Sequence, residues 1–135
     1  MTGKKNYQIT EFCHRFLADY IKEGNCCIDA TCGKGNDTEF LCRMAGKSGK
    51  VYAFDIQEQA VEYTSDRLER AGYRDRAELY CKGHEHMTEY IQEKADVIMF
   101  NFGYLPGGDH SIATLPETSL QAVRKGLELL NSGGV

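Results

Sequence analysis

Apolar residues recur along this chain in two alternating rhythms. Over residues 8–22, Ile9, Phe12, Phe16, Leu17, Tyr20 and Ile21 fall at helical spacing, and Gly24 follows as a stop. Residues 26–30 (CCIDA) form a short unbroken apolar run ending in an acid region, the pattern of a strand buried on both faces. Gly33-Lys34-Gly35 is a turn, after which Asn36 or Asp37 is placed to cap a helix carrying Phe40, Leu41 and Met44. The second strand is expected over 51–55 (VYAFD). A helix over 57–71 follows, with Ala60, Val61, Tyr63, Thr64, Leu68 and Ala71 inward and Gly72 as its stop. Residues 77–81 read as a third strand, 86–92 as a short helix and 95–100 (ADVIMF) as a fourth, wholly apolar strand. A long loop, 101–114, leads to a helix capped by Thr114, with Pro116 in its first turn and Leu120, Val123, Leu127 and Leu130 as its stripe.

Four rounds of strand and helix predict one α/β domain over residues 1–135. Its core is a doubly wound, mainly parallel sheet with helices on both faces and right-handed crossovers. Such sheets bind ligands at the carboxyl ends of their strands, here marked by Asp29, Gly33, Gly35, Asp55, His84 and Asn101. A fifth strand is expected to begin at Val135, so the domain is expected to be incomplete at its C-terminus.

Composition changes this picture little. The chain is 41% hydrophobic and 27% charged, a balance suited to a folded domain rather than a disordered one. No apolar run approaches the ~18 residues of a membrane span, and the first residues lack the apolar core of a secretory signal. No membrane contact is expected, and the default address is cytoplasmic. A net charge of -4 excludes a strongly basic nucleic-acid binder, but not an enzyme that meets RNA through one local patch. Lys4, Lys5, Lys34, Arg43 and Lys82 are either that patch or a solvated face. The six cysteines, Cys13, Cys26, Cys27, Cys32, Cys42 and Cys81, form no C-x-x-C pair and read as free thiols used as small core residues. Cys81-x-x-His84-x-His86 lacks a second ligand pair, so no metal is expected.

The glycine turn and Asp55 together suggest a nucleotide-like ligand, because a carboxylate at the end of the second strand can accept bonds from both ribose hydroxyls. A dinucleotide fits poorly. The third glycine of its fingerprint would fall at position 38, which is Thr, and a pyrophosphate would face Asp29 and Asp37. S-adenosylmethionine has no phosphate and carries a sulfonium and an ammonium, so acid-lined strand ends favour it. Asn101-Phe102-Gly103-Tyr104 follows the fourth strand with the N-x-x-Y spacing of amine-methylating enzymes. The Asn101 side-chain oxygen and a neighbouring backbone carbonyl can accept the amine's N–H bonds and aim its lone pair, and Tyr104 can stack on a base. The structural alternative is that Asn101 closes the strand and Tyr104 packs on the sheet. Gly107-Gly108-Asp109 next to them reads as a substrate-gripping loop, with Asp109 either orienting the amine and taking its proton or serving as a turn residue. His84 is either an adenine contact or an exposed loop histidine.

DATCGKGNDTEFL (29–41), YAFDIQEQA (52–60) and NFGYLPGGDHSIAT (101–114) resemble the bacterial YtqB-like rRNA-methylase family. The resemblance runs over almost the whole chain. It implies a Rossmann-like class I methyltransferase fold and S-adenosylmethionine as cofactor, with S-adenosylhomocysteine as product. Characterised relatives methylate the 5-aminomethyl group of the wobble 2-thiouridine in tRNA, which implies the tRNA anticodon stem-loop as substrate. Carried over, the resemblance puts Asp29, Gly33, Gly35, Asn36 and Asp37 around the methionine half of the cofactor. It puts Asp55, Gln57 and His84 at the ribose and adenine, with Asn101 adjoining. Asn101, Tyr104 and Asp109 become the catalytic residues. Phe102, Gly103, Tyr104, Leu105, Pro106, Gly107, Gly108 and Asp109 line the substrate site. The alternatives are a methyltransferase of the same fold acting on rRNA, a protein or a small amine, and a non-catalytic S-adenosylmethionine-binding module. A monomer or a homodimer is expected.

Overall fold

A computed structural model describes residues 11–101 and 116–135. Helix α1 covers residues 11–18 of the described chain. Strand β1 (Cys26–Asp29) follows, then α2 (Asn36–Ala45), β2 (Lys50–Phe54), α3 (Glu58–Ala71), β3 (Ala77–Tyr80), α4 (Met87–Tyr90), β4 (Val97–Met99) and α5 (Pro116–Leu129). Single 3-10 turns at Arg74–Arg76 and His84–His86 precede β3 and α4.

The four strands form one parallel sheet in the order β3-β2-β1-β4. The chain steps outward from β1 to β3, then crosses back to lay β4 on the other side of β1. The gap between β1 and β4 is therefore the switch point of a doubly wound sheet, where ligands of such folds bind. Val135 continues the pairing beyond β4: it donates to the Asp96 carbonyl and accepts from Ile98 N–H, both at 2.9 Å.

The period-2 geometry of β1 sorts its side chains between two cores. Cys27 joins Leu17, Ile21, Phe40, Leu41, Val51, Leu68 and Val97 on one face, under α1, α2 and α3. Cys26 and Ile28 join Tyr52, Phe54, Met87, Ile91 and Leu129 on the other, under α4 and α5. The sequence pattern overfilled three helices. In α1 only Leu17 goes inward, joined by Ile21 just past the helix end, while Phe12, Phe16 and the following Tyr20 are about half exposed or more. Tyr63 of α3 and Leu120 and Leu127 of α5 also face outward, and α5 instead packs through Ala122, Gly126 and Leu129. The cause in α5 is close approach: a Cβ on Gly126 would sit 3.1 Å from the Phe100 ring, so the helix lies on the sheet along its small-residue line. Neither Asn36 nor Asp37 caps α2, since Gly35 occupies the N-cap in the left-handed region and no side-chain cap bond forms. Thr114 lies outside the described residues.

All six cysteines are free thiols, but only four of them are core residues. Burial pushes the Cys26, Cys27 and Cys42 thiols up to about 12 and raises Cys32 as well. Cys13 and Cys81 are exposed. A disulfide-exchange reagent at pH 8 should therefore modify two thiols quickly in the native protein and the other four only on unfolding. A native count of six, read by absorbance, would contradict this packing.

Candidate functional site

The carboxyl end of β1 is the floor of the site. Asp29 is 1% exposed and shares the face of Cys27, toward α2. Its Oδ2 accepts the Thr38 hydroxyl at 2.7 Å and its Oδ1 accepts Thr31 N–H at 3.2 Å. Burial first, and then the nearby Asp37 carboxylate, push its pKa up to about 7 against these bonds, with Asp55 adding a smaller rise.

The glycine turn closes over this floor. Gly33 and Gly35 both hold positive φ, 52° and 86°. Gly35 has a second reason to be glycine: a Cβ there would lie 3.0–3.1 Å from Thr64 atoms of α3. The Thr64 hydroxyl donates to the Gly33 carbonyl at 3.0 Å, fixing the turn from the other side. At the end of β2, Asp55 reaches across. Its Oδ2 accepts Gly33 N–H at 3.0 Å and its Oδ1 accepts Gln57 N–H at 2.9 Å. Asp55 thus ties the glycine turn to the start of α3, where Gln57 is the N-cap. Ile56 beside it is 57% exposed, an apolar surface next to a polar anchor.

Three carboxylates, Asp29, Asp37 and Asp55, gather here, and the last two make ionising Asp29 more costly. His14 of α1 sets its Nε2 2.7 Å from Asp37 Oδ1 and stacks flat on Phe40, ring centroids 4.0 Å apart. Asn36 is exposed and its Oδ1 accepts Arg67 from α3 at 3.2 Å.

Across the switch point, Asn101 is exposed just past β4, and its N–H donates to the Thr31 hydroxyl at 2.7 Å. The structure therefore brings together Asp29, Gly33, Gly35, Asn36, Asp37, Asp55, Gln57 and Asn101. His84 is not the exposed loop histidine of the alternative reading. It is 5% exposed, donates from Nδ1 to the Ala30 carbonyl at 3.2 Å and meets Phe100 edge-on, and burial lowers its pKa. It braces the end of β1 from beneath. Phe102, Gly103, Tyr104, Leu105, Pro106, Gly107, Gly108 and Asp109 lie outside the described residues, as do Lys4 and Lys5. Lys34 stands in the glycine turn, while Arg43 lies at the far end of α2 over the Phe40 ring, so these two cations do not form one patch.

Sequence reading missed His14, Thr31, Thr38 and Thr64. Thr31 N–H on Asp29 is a local turn that the spacing carries. His14 shares a helix face with Leu17, a weak signal that it points inward. Thr38 and Thr64 act through contacts that no local pattern reports.

Among the described residues, no group of His, Cys, Asp and Glu is placed to hold a metal ion. Cys81 bonds Ile56, His84 bonds Ala30 and His86 bonds Glu89, so the three point to separate partners. Also among the described residues, no helix is long and apolar enough to cross a membrane.

Residues 51–135 match the family described as "Putative rRNA methylase". The chain is 42% identical over 143 residues to a chloroplastic tRNA (mnm(5)s(2)U34)-methyltransferase of Arabidopsis thaliana, covering 98% of this chain and 52% of that protein. It thus spans about half the length of that curated relative. A structure described as an rRNA methylase from Clostridium thermocellum superposes with TM-score 0.89 at 46% identity, over 93% of this chain and 67% of that one. A methyltransferase from Streptococcus mutans, solved in complex with SAH, superposes at 0.83 and 40% identity, over 93% and 68%.

Proposed function

The chain belongs to the rRNA methylase family, and from that premise we propose that it is a single-domain, S-adenosylmethionine-dependent methyltransferase acting on the 5-aminomethyl group of the wobble (2-thio)uridine in tRNA. The observation that carries the cofactor is the carboxylate cluster at adjacent strand ends. Asp29, Asp37 and Asp55 crowd one glycine turn, and burial of Asp29, with the Asp37 and Asp55 charges added to it, pushes the Asp29 pKa up to about 7. A ligand with a sulfonium and an ammonium relieves the repulsion, whereas a pyrophosphate adds to it. The name of the Arabidopsis relative supports the substrate. This reading takes the cytoplasmic tRNA pool as the place of action.

On this reading Asp29, the glycine turn and Asp37 hold the methionine half, and Asp55 accepts the ribose hydroxyls on lone pairs that Gly33 and Gln57 leave open. The exposed Ile56 offers the adenine an apolar face. The bound cofactor supplies a methyl group on a good leaving sulfur. Asn101 orients the attacking amine: its side-chain carbonyl and a neighbouring backbone carbonyl accept the two N–H bonds, which aims the lone pair at the methyl group. The nitrogen–carbon bond forms as the sulfur–carbon bond breaks, and the product ammonium then sheds one proton.

The cluster also sets a pH dependence. A cationic ligand favours ionised Asp29, so binding releases a proton wherever Asp29 is protonated in the free protein. With its pKa at about 7, affinity should rise about tenfold between pH 6 and pH 8 and level off above that. Calorimetry in two buffers of different ionisation enthalpy reads both the affinity and the proton. Affinity that falls with pH would remove Asp29 from the site. Asp29→Asn should flatten the profile.

A further inference from the structure

Thr31 sits where the two halves of the site meet. The β1–β4 ladder ends with Ala30 N–H on the Met99 carbonyl at 2.9 Å. One step further out, Asn101 N–H has no strand carbonyl to meet, and the Thr31 hydroxyl takes it at 2.7 Å. The same residue's own N–H is fixed on Asp29 Oδ1 at 3.2 Å. Two hydrogen bonds therefore run from the buried carboxylate floor through Thr31 to the backbone of the residue that follows β4. A β-branched side chain suits the task, because its restricted χ1 holds the hydroxyl in place.

We propose that Thr31 is a positioning residue that holds Asn101 in register with the cofactor floor, so that the amine carried by Asn101 lies in line with the methyl group. The inference rests on the function proposed above. It separates two roles within one residue. The backbone of Thr31 serves Asp29 and survives any side-chain change, while its hydroxyl serves only Asn101. Small displacements of a nucleophile's holder lower rates steeply while leaving binding of the other reactant in place.

Thr31→Val keeps the shape and removes the acceptor, Thr31→Ser keeps the acceptor, and Thr31→Ala is a second deletion should valine fail to fold. Single-turnover methyl transfer to undermodified tRNA, at saturating S-adenosylmethionine, should slow by about twentyfold or more in Thr31→Val. Thr31→Ser should stay within about threefold of the parent, and the dissociation constant of the cofactor should stay within about twofold in both. Exchange of the Asn101 amide hydrogen, read by NMR on the unliganded protein, should speed up about tenfold in Thr31→Val and not in Thr31→Ser. A valine variant with the parent rate, an unchanged Asn101 amide, or a loss of cofactor affinity matching the loss of rate would each overturn the proposal. A parent protein that binds the cofactor and methylates no amine overturns the proposed function instead, and amide exchange then decides by itself whether Thr31 holds Asn101.

Discussion

Asn101→Ala is expected to slow methyl transfer by about a hundredfold or more at saturating cofactor while leaving cofactor affinity nearly unchanged. The reason lies in what the side chain does. Asn101 is exposed past the end of β4 and its backbone N–H is anchored on Thr31, so the side chain can be truncated without breaking that anchor. Removing the side chain leaves the acid cluster on β1 and β2 intact. The amine then enters with its lone pair unaimed, and the lost positioning appears in the rate. The parent rate should also climb with pH through the substrate amine's own pKa, since only the neutral amine attacks. A fully active Asn101→Ala protein would return Asn101 to a strand-closing role.

The second large effect is expected at Asp55. Asp55→Ala should weaken cofactor binding by about 1.5–3 kcal/mol, the range for hydrogen bonds to a charged group, or roughly ten- to 150-fold. Two losses combine. The ribose hydroxyls lose their acceptor, and Gly33 N–H loses the bond that ties the turn to β2. Asp55→Asn separates them, because a single carbonyl oxygen can keep either Gly33 or Gln57 but carries no charge for the ligand. Calorimetry on both variants reads the difference. Unchanged affinity in Asp55→Ala would remove the ribose from this strand end.

Most of the sheet was legible because its strands are short apolar runs and its helices are stopped by glycines. Gly46 and Gly72 sit at the ends of α2 and α3 and hold positive φ, whereas α1 ends at residue 18, short of Gly24. The acids at the ends of β1 and β2 were legible for the same reason, since each closes an apolar run. Helix faces were less so. Spacing placed Phe12, Phe16 and Leu120 inward, yet α5 packs through Ala122 and Gly126, where closeness to Phe100 matters more than hydrophobic size. The burial of His84 was not legible because spacing gives its distance from β3, not the 3-10 turn that buries it against Ala30. The threonines that brace the site were invisible because Thr38 and Thr64 act across elements.

The central claim is that this chain's acid-lined strand ends and Asn101 serve methylation of the wobble aminomethyl group. The most direct measurement is mass spectrometry of wobble nucleosides in tRNA from a strain lacking this gene, before and after incubation with the protein and S-adenosylmethionine. The account predicts that 5-aminomethyl-2-thiouridine disappears and a nucleoside one methyl group heavier takes its place. Persistence of the unmethylated nucleoside, with S-adenosylmethionine demonstrably bound, would contradict it.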